Sequence, residues 1–231
     1  RQDGFLADPK LGWTLPAGTT MMWRGKLANI NSLGLRGPEP RTGATTRLLI
    51  VGDSSVFGDG LSDGQTMSAQ VSALLGPDVD VQNGGVPGYT CEQSRVLLDR
   101  VLARFQPDIL ISYNQHSDFR RANPDDRVMF AAGLGALGST GIGRLISAGM
   151  IWRRMQSNGA NLDRSEYQKC LSEMASDHRA RGGKMAFVVP ITEIDFPDSP
   201  FFGEPEPEDE GGRLSDYRQT MKTVAGQYGA V

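Results

Sequence analysis

Leu48-Leu49-Ile50-Val51-Gly52-Asp53-Ser54-Ser55-Val56-Phe57-Gly58 decides the fold of this 231-residue chain. A short apolar run of strand length, Arg47–Val51, ends on a glycine and delivers a serine flanked by glycines. In an α/β protein, a serine at the carboxyl end of a buried strand is where a nucleophile is presented.

Outward from this stretch the pattern alternates. Asp63–Leu75 carries Met67, Val71, Leu74 and Leu75 at helical spacing and stops at Gly76-Pro77. Val79–Gln82 reads as a short strand. Cys91–Phe105 reads as a helix with Val96, Leu97, Val101, Leu102 and Phe105 on one side; Thr90 is its N-cap and Gln93 completes a capping box. Asp108–Tyr113 is a continuous apolar strand, Arg164–Arg181 a helix stopped by Gly182-Gly183, and Lys184–Pro190 the next strand. Leu214–Gln227 is a helix, and Gly229-Ala230-Val231 reads as the start of another strand. Continuous apolar strands separated by amphipathic helices predict a parallel sheet covered on both faces. The expected class is α/β, a three-layer α/β/α sandwich with a flavodoxin-like parallel sheet of about five strands.

Residues 1–45 show no lasting period and are punctuated by Pro16, Gly18, Gly34, Gly37, Pro38 and Pro40. They are expected to wrap irregularly over a domain spanning 46–231, with 120–160 a cap insertion. Within that insertion, Val128–Trp152 reaches membrane-spanning length, but six glycines and Arg144 favour an internal cap over a span. The acidic run Glu204–Glu210 reads as a solvated loop.

Composition narrows the function. Hydrophobic residues are 39%, charged residues 22% and net charge −3, which is ordinary for a globular protein and gives no polyanion-binding signature. Nucleic acid is therefore not an expected partner. Cys91 and Cys170 lack metal-ligand spacing; two isolated buried thiols are expected, with a disulfide the alternative. Gly133–Gly138 matches G-x-G-x-x-G but lacks the acidic residue a dinucleotide site requires. No Gly-Lys-[Ser/Thr] follows Gly52–Gly60, which excludes a P-loop, and Val56 stands where the G-x-S-x-G elbow needs glycine. Neither a metal nor an organic cofactor is expected.

Taken together, Gly52-Asp53-Ser54-x-x-x-Gly58 after one strand and Asn83-Gly84-Gly85-Val86-Pro87-Gly88-Tyr89-Thr90 after the next resemble the first two blocks of SGNH (GDSL-type) hydrolases. Asn31-Ser32-Leu33-Gly34-Leu35-Arg36-Gly37-Pro38-Glu39 resembles the lead-in common in bacterial members. The resemblance implies that Ser54 is the nucleophile and that the backbone N–H groups of Ser54 and Gly88 form part of an oxyanion hole. A helix N-cap is the alternative role for Ser54.

The third block departs from the family's Gly-x-Asn-Asp. Here Tyr113-Asn114-Gln115-His116-Ser117-Asp118 puts Gln115 for the glycine and Ser117 for the asparagine, so the third oxyanion donor is expected from Ser117 or Asn114. The family's Asp-x-x-His follows a fifth strand, and Val231 lies where that strand begins; the block is expected downstream. His116, at the rim, is the possible substitute base, whereas His178 reads as a solvated residue at a polar helix end.

The implied function is a serine esterase acting on small-molecule, carbohydrate or lipid esters through an acyl-enzyme. The alternatives are an O-acetyltransferase on the same scaffold and a non-catalytic binding module. Family habit places such a protein outside the cytoplasm, exported or tethered to a membrane.

Overall fold

The computed structural model describes residues 4–8, 10–119, 162–189 and 208–231, with side chains of the last segment described from Leu214 onward. The strands are β1 (Leu6–Asp8), β2 (Gly12–Thr14), β3 (Thr19–Trp23), β4 (Lys26–Ile30), β5 (Thr46–Gly52), β6 (Val79–Gly85), β7 (Ile109–Tyr113) and β8 (Lys184–Phe187). The helices are α1 (Ser54–Phe57), α2 (Met67–Leu75), α3 (Cys91–Leu102), α4 (His116–Phe119), α5 (Arg164–Ala180) and α6 (Glu208–Tyr228).

Four strands form one parallel sheet in the order β6-β5-β7-β8. Alternation sorts their side chains to two buried faces. Leu49, Val51 and Leu110 join a core with Leu97, Leu98 and Val101 of α3, Leu171 and Met174 of α5, and Leu214, Tyr217 and Met221 of α6. Leu48, Ile50 and Val81 face the other way, onto Val56 of α1 and partly buried Met67 and Val71 of α2. Burial on both faces is why these strands read as unbroken apolar runs, and the result is the expected α/β/α sandwich.

The sheet has four strands among the described residues, against the five or so expected, and Val231 lies at its β8 edge. Val231 donates its N–H to the Met185 carbonyl (3.3 Å) and accepts from the Phe187 N–H (2.9 Å), the bonding pattern of a parallel neighbour of β8.

Several expectations are corrected. The segment before residue 46 is not irregular: β1–β2 and β3–β4 are two antiparallel hairpins. Trp13, Leu15, Met21, Ala28 and Ile30 from it enter the main core. Asp63–Leu75 is not one helix. Asp63–Gln65 is a 3₁₀ turn, and Thr66, in extended conformation (φ −66°, ψ 154°), stops it and caps α2 by accepting from the Ala69 N–H. Of the apolar stripe on α2, Leu74 and Leu75 stay 85% and 49% exposed. The strand expected at Val79–Gln82 runs on through Asn83-Gly84-Gly85.

The two cysteines are not isolated thiols. Cys91 at the start of α3 is disulfide-bonded to Cys170 on α5, with Cα atoms 6.2 Å apart and both residues fully buried. The proposed cap insertion, its G-x-G-x-x-G match and the membrane-length segment lie outside the described residues. The acidic run lies partly outside them, but the backbone of its last residues, Glu208–Glu210, is already helical in α6. Among the described residues no helix is long and apolar enough to cross a membrane.

Candidate active site

Strand β5 lies between β6 and β7, and the chain leaves it toward one side and later crosses to the other. The crevice beyond the carboxyl ends at such a switch point is where open α/β sheets bind ligands. Register brings the sequence blocks together there. Gly52 pairs with Gly85 of β6 on one side and with Tyr113 of β7 on the other.

Ser54 is the first residue of α1 and is half-buried. It is not the N-cap; that role belongs to Asp53, whose Oδ1 accepts from the Ser55 N–H at 2.9 Å. The Ser54 N–H is therefore a first-turn amide without an intrahelical partner, and no described acceptor takes it. Helix α1 approaches the sheet closely enough that a Cβ on Gly85 would lie 2.2 Å from the Phe57 nitrogen, so only glycine fits. Asn83 secures the same contact, donating from Nδ2 to the Val56 carbonyl (2.8 Å) and accepting the Gly85 N–H (2.9 Å).

Gly88 is exposed and adopts φ +80°, a left-handed conformation that favours glycine. Its N–H has no acceptor among the described residues. The first hairpin supports this loop. Trp13 donates from Nε1 to the Pro87 carbonyl (3.1 Å), its ring lies 3.1 Å from where a Cβ on Gly88 would sit, and its own carbonyl accepts from the Tyr89 hydroxyl (2.6 Å).

The third block is clipped to the first by Asp53, which is fully buried. Its Oδ2 accepts from both the N–H and the hydroxyl of Ser117, each at 3.1 Å. A hydroxyl has one hydrogen, and that of Ser117 faces the Asp53 carboxylate. Asn114 is also committed elsewhere. Its Nδ2 donates to Ser94 Oγ (2.8 Å), and its Oδ1 accepts from Ser112 Oγ (3.1 Å) inside the core. Of the two residues expected to give the third side-chain donor, Ser117 thus bonds Asp53, and Asn114 is fully buried against Ser94 and Ser112. Gln115 is buried, donating to the Leu214 carbonyl at 3.3 Å. His116 is half-buried and meets Phe119 edge-on, ring centroids 5.5 Å apart.

His178 is not the solvated helix-end residue expected. It is 1% exposed, and neither ring nitrogen has a well-formed hydrogen bond among the described residues. Burial holds its pKa below the usual histidine value. It lines a cavity of about 460 Å³ with Arg47, Asp108 and Gly183, at the amino ends of the strands. That is the opposite end of the sheet from Ser54, so His178 does not belong to the crevice.

Sequence reasoning missed two supports. Arg36, in the lead-in, is 3% exposed and donates to the carbonyls of Phe57, Gly58 and Leu61 and to Asp63 Oδ1 at 2.7–2.9 Å, with its guanidinium 4.6 Å from the Phe57 ring centre. An arginine at a fixed step after Asn31 was the available signal. Asp53 as a clip was legible only as an acidic residue before a short helix. Among the described residues, no group of three potential ligands could hold a metal ion.

No protein-family model matches the sequence, and no curated protein matches it either. Solved structures do. The chain is similar to LAE5, an alpha/beta hydrolase enzyme from the metagenome of Lake Arreo, Spain, with TM-score 0.52 and 17% identity over 82% of this chain and 76% of that one. It is similar to AlinE4, an SGNH-hydrolase family esterase, with TM-score 0.51 and 17% identity over the same shares. A variant of Axe2, an acetyl-xylooligosaccharide esterase from Geobacillus Stearmophilus, gives TM-score 0.51 and 16% identity over 81% of this chain and 75% of that one. With a parallel sheet of this order and a Gly-Asp-Ser turn on its first strand, the chain has the α/β/α fold of the SGNH (GDSL-type) hydrolases.

Proposed function

We propose that this protein is a serine hydrolase of carboxylic esters that works through an acyl-enzyme on Ser54. One observation carries the reading: the register of β5 with β6 and β7 gathers the Ser54 turn, the Gly88 loop and the Ser117 helix at one crevice, with two backbone amides there left without described acceptors. The SGNH-hydrolase fold of the esterase neighbours supports it.

In this reading Ser54 Oγ adds to the ester carbonyl as its proton passes to a base. The Ser54 and Gly88 N–H groups donate to the oxygen as it becomes negative. The alcohol then leaves with a proton, and water repeats the sequence on the acyl-serine. The base this mechanism requires is a histidine within hydrogen-bond reach of Ser54 Oγ. The family arrangement supplies it from Asp-x-x-His after a fifth strand, with His116 the substitute among the described residues. Two backbone donors without the family's asparagine predict slow turnover, because one oxyanion donor is worth about 10²–10³ in rate. The disulfide supports an oxidising compartment as the place of work.

The test is labelling of the intact protein by a fluorophosphonate probe, with p-nitrophenyl acetate as substrate. Labelling at Ser54 that disappears in Ser54→Ala supports the enzyme. Absence of labelling in the folded wild type sinks it and leaves a binding module, the reading favoured by the commitment of Ser117 and Asn114 to internal bonds. Acetyl transfer to an added sugar in place of hydrolysis identifies a transferase.

A further inference from the structure

A continuous set of contacts joins the Gly88 loop to Ser54 from behind the crevice. Thr90 caps α3, its N–H donating to Gln93 Oε1 (3.0 Å), so the loop ends where the helix begins. The next residue, Cys91, donates its backbone N–H to Asp118 Oδ1 at 2.7 Å. Asp118 follows Ser117, which holds Asp53, which precedes Ser54. The acidic residue is itself pinned: its N–H donates to the Gln115 carbonyl (3.0 Å), and its carbonyl accepts from the Leu162 N–H (3.2 Å) at the approach to α5. On its other side Cys91 is tied to α5 through Cys170.

Asp118 is fully buried, and its Oδ2 has no partner among the described residues. Burying a carboxyl group is costly, and here burial, with Asp53 and Glu92 nearby, raises its pKa well above the usual carboxylate value. An apolar side chain would fill the same space without that cost. What the carboxyl group uniquely provides is one acceptor for the first amide of α3, three residues beyond Gly88.

We infer that Asp118 is a positioning residue for the ester chemistry: its Oδ1, by holding the Cys91 amide, sets where the Gly88 N–H stands relative to Ser54. The inference rests on the reading of Ser54 and Gly88 given above. It requires an acceptor at this point and not a charge. Asparagine supplies that acceptor; leucine, of similar size, does not.

The experiment measures fluorophosphonate labelling of Ser54 in the intact protein, together with amide hydrogen exchange over residues 88–93, for wild type, Asp118→Asn and Asp118→Leu. Folding of each variant is checked by circular dichroism and thermal melting. The leucine variant is expected to label about 10²-fold more slowly, the size of losing one oxyanion donor, and to exchange faster over 88–93. The asparagine variant is expected to match wild type in both, with the same pH profile. Two results would overturn the inference: a folded leucine variant with wild-type labelling, or an asparagine variant as impaired as leucine. If the leucine variant does not fold, the asparagine variant decides: unchanged labelling and exchange uphold the inference, and a loss of labelling refutes it. An unlabelled wild type removes the ester reading alone. Exchange then decides the clamp, upheld by faster exchange in the leucine variant and refuted by no change.

Discussion

Reducing the Cys91–Cys170 disulfide should be the largest single perturbation to this fold that leaves the sequence intact. The bond closes a loop of sequence separation 79 between α3 and α5. Loop-closure entropy for a loop of that length amounts to about 4.5 kcal/mol at 25 °C, acting on the unfolded chain. Both residues are fully buried, so reductant reaches the bond only through opening of the fold. The assay is therefore an equilibrium one. Protein unfolded in urea with and without reductant is refolded, and its unfolding is followed by tryptophan fluorescence. With a urea slope of about 2.5 kcal/mol/M, the reduced protein should unfold at a midpoint roughly 2 M lower. A thiol titration under denaturing, non-reducing conditions should find no reactive cysteine. Coincident midpoints in the two series, or two thiols titrating without reductant, would refute the reasoning.

Two further outcomes follow from particular side chains. Burial lowers the pKa of His178, so the native state favours its neutral form; stability from this group is complete above the unfolded value of about 6.5 and is lost as pH falls below it. Subtracting the stability-versus-pH curve of His178→Leu from that of wild type should isolate this loss between about pH 7 and pH 5, and a flat difference would contradict it. Arg36→Lys replaces a planar fork bonded to three carbonyls and Asp63 with a single ammonium group. It should cost about 2–3 kcal/mol in urea unfolding, and a cost below about 0.5 kcal/mol would show that the fork is dispensable.

Much of the geometry of the candidate site was legible because its signals are local. Gly52, Gly85 and Gly88 stand at fixed steps from strand ends, and the strands themselves are continuous apolar runs. The register that pairs Gly52 with Gly85 and Tyr113 follows once those strands are parallel neighbours. The third block was misjudged for the opposite reason. Ser117 and Asn114 have the chemistry of donors, but each is bonded to a group distant in sequence, Asp53 and Ser94, 64 and 20 residues away. His178 was misjudged similarly. Its polar neighbours in sequence suggested solvent, whereas the ring packs over Gly183, where a Cβ would come within 2.2 Å of Nε2.

The sequence by itself determined the alternation of strand and helix, the two buried faces of the sheet and the serine at the end of its first strand. Each follows from side-chain period and from where glycine and proline interrupt it, properties that neighbouring residues settle among themselves. Only the tertiary structure decided that the strands between Leu6 and Ile30 pair into hairpins, that Trp13 underlies Gly88, that Cys91 finds Cys170, and that Asp118 holds α3. These depend on which distant groups occupy the same few ångströms, and a linear pattern carries no record of that.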